Sequence, residues 1–424
     1  MIINQKVMNR IIYWMTLFML VCQFLIYNIG FSTYIMIVLD LFLVLGTLFC
    51  FRNFISGVYR TGSGLTFLVV LLLFGFAVFG CIWNQSSISL YLLGVYRYGK
   101  YFLLFFLCAF IFTREGILKL FGLLNIVLWL NVIMCTIQYF VLGYKGDFCG
   151  GLFGTSNTNG WMNIFLCLIC AYVLSCYACG LANIKKVVSV CLPCIYISAL
   201  AEIKFFFFEL AIIFLLILMF SRPTKRRIAL GIAGVVLLLA LSQVVELLWS
   251  SSSSSVFSLE GILYYFEEKD YGYASAGDLG RIGGIAKLNR MFFGDEYSFF
   301  GHGLGMCGYG TEFYKMHGEL HYVWFGYLLT YIETGWSGLV LHVAFFVSVL
   351  IGTRKIRKLD EGKDPIDTSL YLVAECMAIL GIILLWYNTT VKNYPAYFLF
   401  MSLAFPFALC GKKNLRRTKQ EMTM

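Results

Sequence analysis

The chain has 424 residues, of which 60% are hydrophobic and 13% charged, with a mean hydropathy of +0.83. Soluble domains run about 45–50% apolar and about 25% charged, and the excess here is spread along the whole chain, which excludes a soluble domain with a single anchor. The formal net charge of +10 lies in short basic clusters between apolar runs, where it sets topology, and this excludes a nucleic-acid-binding surface.

A bilayer-spanning helix needs about 20 mainly apolar residues, and only helices or closed barrels satisfy the backbone in lipid. The apolar runs are continuous, not alternating, so an all-α polytopic membrane protein is expected. They predict about 12 transmembrane helices, at 11–29, 33–51, 64–83, 99–113, 121–142, 160–181, 187–202, 205–221, 228–249, 322–350, 370–390 and 395–411. Residues 1–249 then hold the first nine, 250–321 form one long extracytoplasmic loop, 322–411 hold the last three, and 412–424 are a basic cytoplasmic tail. Met1 to Arg10 lacks a small-residue cleavage site and leads into a run long enough to span, so no cleavable signal peptide is expected.

Both termini are expected in the cytoplasm. Alternate connections then collect Arg52 and Arg60, Arg114 and Lys119, Lys185 and Lys186, Arg222 to Arg227, and Arg354 to Lys363 on the inner side. Val187 to Phe220 would be about 51 Å long as one helix, too long for one crossing. Basic residues at both of its ends must lie inside, so two short helices are expected, meeting near Ala201-Glu202-Ile203-Lys204.

In chain order, Arg97 and Lys100 stand just before a predicted span. They either snorkel to headgroups or line an anion site. The turn Gly150 to Gly160 is rich in Gly, Ser, Thr and Asn. There Asn157 or Asn159 would cap the next helix, and an amide is also a natural sugar ligand. Glu202, Lys204 and Glu209 fall at membrane depth, where charges are costly and face protein or water. They either neutralise one another or leave Lys204 lining a cavity. Asp40, Glu246, His342 and Glu375 read as interhelical or interfacial hydrogen-bonding groups. Three CxxC pairs, at Cys167/Cys170, Cys176/Cys179 and Cys191/Cys194, sit in apolar surroundings without histidine. They read as small buried hydrophobes rather than metal ligands.

The loop 250–321 opens with serines 250–255 and carries Arg281, Lys287 and Arg290 among apolar residues. Its cations touch headgroups or clamp a diphosphate, for which arginine has bidentate geometry. Residues 281 and 290 point to opposite faces of one unbroken helix, so a shared phosphate requires a break at Gly283-Gly284. Lys287 and Arg290 share a face. Next comes Gly301-His302-Gly303-Leu304-Gly305, flexible backbone bearing one histidine. His317 and His321 are four apart, but Gly318 stands where a zinc-protease helix needs Glu, so no metal site is expected. His321, entering the next helix, is suited to proton transfer or to an interfacial hydrogen bond, and Glu319 and Glu333 are alternative bases. Cys149 and Cys307 both face outward, free or paired.

Gly280-Arg281, Gly301-His-Gly-Leu-Gly305, His321, Glu333-Thr-Gly335-Trp-Ser-Gly338 and the earlier Phe153-Gly-Thr-Ser-Asn157-Thr-Asn-Gly160 together resemble the O-antigen polymerase and O-antigen ligase superfamily, which includes capsular polysaccharide polymerases. The spacing from Arg290 to Gly301 is similar to one found in loops of such polymerases. The resemblance covers roughly residues 150–340. It implies a membrane-embedded C-type glycosyltransferase that is inverting and needs no metal or other cofactor. It implies a polyprenyl-diphosphate-linked (undecaprenyl) oligosaccharide as donor at the outer face of the bacterial cytoplasmic membrane, with a flippase and a chain-length regulator as partners besides the lipid bilayer. By the same resemblance Arg290 and Arg281, with Arg97 and Lys204, would stabilise the departing diphosphate. His321 or a nearby carboxylate would accept the hydroxyl proton, and Asn157, Lys287, His302 and Glu333 would contact substrate. The chain departs from the family in carrying Glu202-Ile-Lys204 where relatives often have Arg. A ligase differs only in acceptor. A glycolipid transporter or flippase would instead place its charges along a central path.

Overall fold

The computed structural model describes residues 5–51, 53–155, 159–221, 224–232, 234, 284–291, 298–360 and 364–411. All regular structure among them is helical. The helices are α1 Gln5–Phe24, α2 Met36–Phe51, α3 Phe54–Thr61, α4 Gly64–Trp83, α5 Ile88–Ile111, α6 Arg114–Thr136, α7 Asn159–Ala178, α8 Ile184–Leu200 and α9 Lys204–Phe220. After them come α10 Gly284–Met291, α11 Glu312–His317, α12 Gly326–Leu359, α13 Pro365–Tyr387 and α14 Ala396–Leu403. Among the described residues, seven helical segments are long and apolar enough to cross a membrane. They are Arg10–Ile29, α4, α5, Arg114–Val141, α7, α12 and α13. Thr33–Leu48 and Ala396–Gly411 are shorter apolar helices. The chain therefore has the architecture of a polytopic helical membrane protein. The predicted span 228–249 lies largely outside the described residues, as do Glu246 and most of the loop 250–321.

Helix α7 is the centre. It is buried over 89% of its apolar window, whereas α4 is buried over only 28% of its own. Leu65, Leu68, Leu71, Leu72 and Phe79 of α4 face outward, as lipid-facing apolar residues do. Helices α12 and α13 pack most extensively on each other, then α12 on α4 and α13 on α7. Where α5, α12 and α14 meet, Phe102, Phe105, Phe345 and Phe400 pack mostly edge to face, the arrangement the ring quadrupole favours.

The connections gather at two ends. At one end Arg114 grips Asp364 with two hydrogen bonds of 2.6 and 3.0 Å. There Arg357 pairs with Glu375 at 2.9 Å and donates to the Phe220 carbonyl, and Arg226 reaches the Ala182 carbonyl. Side-chain caps begin helices here: Thr113 for α6, Asn183 for α8 and Asp364, followed by Pro365, for α13. At the opposite end lie the turns after α1, α4, α6, α8 and α13 and the segment 298–325.

Val187 to Phe220 does form two helices. Glu202, with φ of 51°, turns the chain between them. Helix α9 begins with Phe205 stacked on Tyr387 and ends with Phe220 beside Arg357, so it runs from one end to the other. The three charges of this turn separate. Glu202 is exposed beside Gly146, whereas Glu209 is buried deep in α9 and accepts from the Cys167 thiol. Cys170 lies against Cys191 and Cys194 in the same interior, and no group of three or more His, Cys, Asp or Glu among the described residues is arranged to hold a metal. Cys149 packs on the Cys135 carbonyl, apart from Cys307. Two amides brace the turn before α7: Gln138 bonds Gly151 through both its oxygen and its nitrogen, and Asn131 accepts from Leu152 N–H.

Candidate functional site

The site begins with a break in a helix. Gly335 has φ of 64° inside α12, a left-handed conformation that glycine alone adopts freely. The break frees the carbonyls of Ile332 and Glu333 and the N–H groups of Trp336 and Ser337. A strap formed by residues 298–303 takes up all four. His302 and Gly303 N–H donate to the two carbonyls at 2.7 and 3.0 Å, and Trp336 and Ser337 donate to the Ser298 and Phe299 carbonyls at 2.9 and 3.2 Å. Asn84 and Ser86, after α4, hold the strap's other edge through the Gly301 and His302 carbonyls. Broken backbone at membrane depth is tolerated where protein buries it, and here Glu333, Thr334 and Gly335 are buried.

Beside the break lies a cavity of about 270 Å³. Helix α5 supplies Tyr96, Arg97, Tyr98, Lys100 and Tyr101 to its wall; α12 supplies Glu333; the turn after α13 supplies Lys392 and Tyr394; and Gly308 and Tyr309 close it. Helix α5 starts at Ile88, earlier than the predicted span, so Arg97 and Lys100 lie inside a helix and face protein. That corrects the snorkelling alternative for Lys100, which is 8% exposed.

Lys100 pairs with Asp40 at 3.2 Å. Asp40 also accepts from Tyr96, from Tyr397 at 2.7 Å and from Tyr394 at 3.3 Å. A buried carboxylate with one cation and three hydroxyl donors is fully satisfied, and it ties α2, α5 and the last helix together. Lys100 is thus a neutralised, structural cation.

Arg97 and Lys392 differ from it. Neither makes a hydrogen bond or ion pair through its side chain among the described residues. Lys392 is 7% exposed, and its ammonium stands 4.2 Å from the centre of the Tyr98 ring. The Tyr98 hydroxyl donates to Glu333, which is 1% exposed. Burial pushes the Lys392 ammonium down to about 7, against the opposing charge of Glu333. A buried cation without a partner is costly; Lys392 is buried and Arg97 half-buried, and both line the one cavity.

The Arg97 guanidinium is aimed by the absence of a side chain at Gly308, where a Cβ would come within 2.6 Å of its Nη1. The obstacle is the far end of a flexible side chain, so Gly308→Ala should move Arg97 without unfolding the protein. The expected result is an unchanged Tm with weakened anion binding, read by thermal melting and by titration with a lipid diphosphate.

Of the residues singled out from sequence, the cavity brings together Arg97 and Glu333. His302 belongs to the strap, with its ring 5.1 Å from that of Phe313. Burial, helped by His317, lowers it to about 4, so it is neutral at neutral pH. His321 stacks on Trp324 at 4.0 Å at the entry to α12. Lys204 opens α9 and Lys287 lies in α10, and none of these four residues lines the cavity. Helix α10 packs on α12, where Tyr331 donates to Asn289 at 2.6 Å, and the expected break at Gly283-Gly284 lies at the edge of the described residues, with 281–283 outside them. Arg281 and Asn157 lie outside the described residues, as does the side chain of Arg290. Sequence reasoning missed Lys392 and the tyrosines as members of one site, and Asp40 as the acid that neutralises Lys100 beside it. The available signal was a lone lysine set between Tyr387 and Tyr394 in a short turn on the side where the charge rule disfavours cations. No family model matches the chain, and no curated protein matches it in sequence.

Proposed function

We propose that the chain is a membrane-embedded, inverting glycosyltransferase that polymerises polyprenyl-diphosphate-linked oligosaccharide units. In this reading the strap end of the bundle faces outward across the bacterial cytoplasmic membrane, both termini are cytoplasmic, and the product is an O-antigen or a capsular or exopolysaccharide. The full bundle would contain about 12 spans, and residues 250–321 would be its long outer loop.

The observation that carries the reading is the pair of unpaired cations, Arg97 and Lys392, at one small cavity walled by tyrosines. The volume suits the reacting end of a lipid-linked sugar, a diphosphate and the ring next to it, and not its whole length. Cations placed where negative charge develops lower the barrier to diphosphate departure. Tyrosine faces and hydroxyls suit a sugar ring. Arg281 and Arg290 would complete the phosphate grip from the outer loop. A flippase would deliver the donor and a chain-length regulator would act on the product.

The test is incubation of the purified protein with a polyprenyl-diphosphate oligosaccharide. Longer lipid-linked chains are expected. Deletion in cells should collapse a surface glycan ladder to single repeat units. Units that never reach the outer face would favour a transporter, and single units moved to a different acceptor would favour a ligase.

A further inference from the structure

We propose that Glu333 is the group that takes the proton from the acceptor hydroxyl, with Tyr98 as its positioning residue. The assignment rests on the glycosyltransferase reading above and concerns the same cavity. Three observations lead to it.

First, among the cavity's lining residues Glu333 is the one carboxylate. Asp40, the nearest other acid, spends its oxygens on Lys100 and three tyrosines and does not line the cavity. Second, Glu333 sits two residues before the Gly335 break, where the backbone is pinned by the strap through its own carbonyl. Its position is therefore fixed from two elements, as a catalytic group requires. Third, the Tyr98 hydroxyl fixes one carboxylate oxygen, and the Tyr98 ring also lies 4.2 Å from the Lys392 ammonium, which forms no direct ion pair with the acid among the described residues. The acid is thus held near the anion-receiving cations without being consumed by them.

The step balances as follows. The acceptor O–H bond breaks and its proton passes to a Glu333 carboxylate oxygen. The freed oxygen pair forms the new bond to the anomeric carbon. The bond from that carbon to the phosphate oxygen breaks, and its electron pair leaves with the polyprenyl diphosphate facing Arg97 and Lys392. The proton then leaves Glu333 to water or to the departing diphosphate, which restores the carboxylate.

The experiment uses full-length protein in detergent and two readouts. Undecaprenyl diphosphate alone reports on the cation pocket. The lipid-linked unit extracted from a deletion strain, which accumulates it, reports on turnover. Glu333→Gln keeps the shape and still accepts from Tyr98. It should bind undecaprenyl diphosphate as the wild type does, lose ~10²–10⁴-fold in kcat, and lose the acid limb of the pH–rate profile. Tyr98→Phe should lower kcat with KM unchanged, and Glu333→Asp should recover part of the rate. Glu333→Gln that binds the diphosphate and elongates at the wild-type rate overturns the assignment. Should Glu333→Gln lose binding as well, Tyr98→Phe decides, and wild-type elongation by that variant overturns it. Wild-type protein that binds no undecaprenyl diphosphate overturns the function reading itself, which separates the two failures.

Discussion

Lys392→Gln is expected to weaken binding of undecaprenyl diphosphate by roughly 100-fold at pH 6.5, the equivalent of about 3 kcal/mol for a charge-assisted hydrogen bond lost in a buried site. The wild-type protein itself should bind more weakly as pH rises. The Lys392 ammonium lies near 7, lowered by burial from an ordinary value of 10.5. In the proposed function the charged form, present below that pH, is the one that holds the anion. A bound diphosphate favours the proton, so the midpoint in the complex lies above that of the empty site. Arg97, Glu333, Tyr98 and Cys307 face the same group, and Lys392→Arg, charged at every accessible pH, should flatten the profile. Stability moves the other way. Between about 7 and 10.5 the unfolded chain holds more protons at this position than the folded one, so stability rises with pH across that window. Titration with the lipid diphosphate and melting curves at several pH values check both signs.

Gly335→Ala is the substitution expected to damage the fold most. A Cβ there would collide with the Phe299 carbonyl group and the Phe300 nitrogen. These are backbone atoms of the strap and cannot rotate away. The backbone at φ 64° and ψ −164°, a region essentially reserved for glycine, adds about 1–3 kcal/mol for any residue with a Cβ. The strap would have to withdraw, leaving four backbone groups without partners at about 1–3 kcal/mol each where no water replaces them. A lowered Tm, or loss of folded protein in detergent extracts, is the expected result. Gly308→Ala, which meets only the movable end of Arg97, is the control that keeps the fold.

Much of the architecture was legible because lipid demands long apolar runs and the charge rule orders their connections. That parity predicts two helices between Val187 and Phe220, and the chain does form two there, turning at Glu202. The site was less legible. Arg97 and Glu333 stood out as charges near spans, but Lys392 sits in a three-residue turn with nothing in its spacing to tie it to either. Its neighbours in space, Tyr98 and Glu333, are remote in sequence, and burial alone brings them together. The break at Gly335 was hidden for a related reason. Glycines at 335 and 338 also suit close helix packing, and only the strap's hydrogen bonds show that one of them interrupts the helix.

The cavity's walls are drawn from residues 96–101, 308–333 and 389–394, and this spacing has a consequence for biogenesis. During synthesis the strap is made before the second half of α12, so its carbonyls and N–H groups are already waiting when the interrupted helix enters the bilayer. Lys392 is made well after Arg97 and Glu333. A polypeptide cut short before Lys392 lacks one of the two unpaired cations, and the cavity's wall is complete only when the helices on either side of Lys392 close.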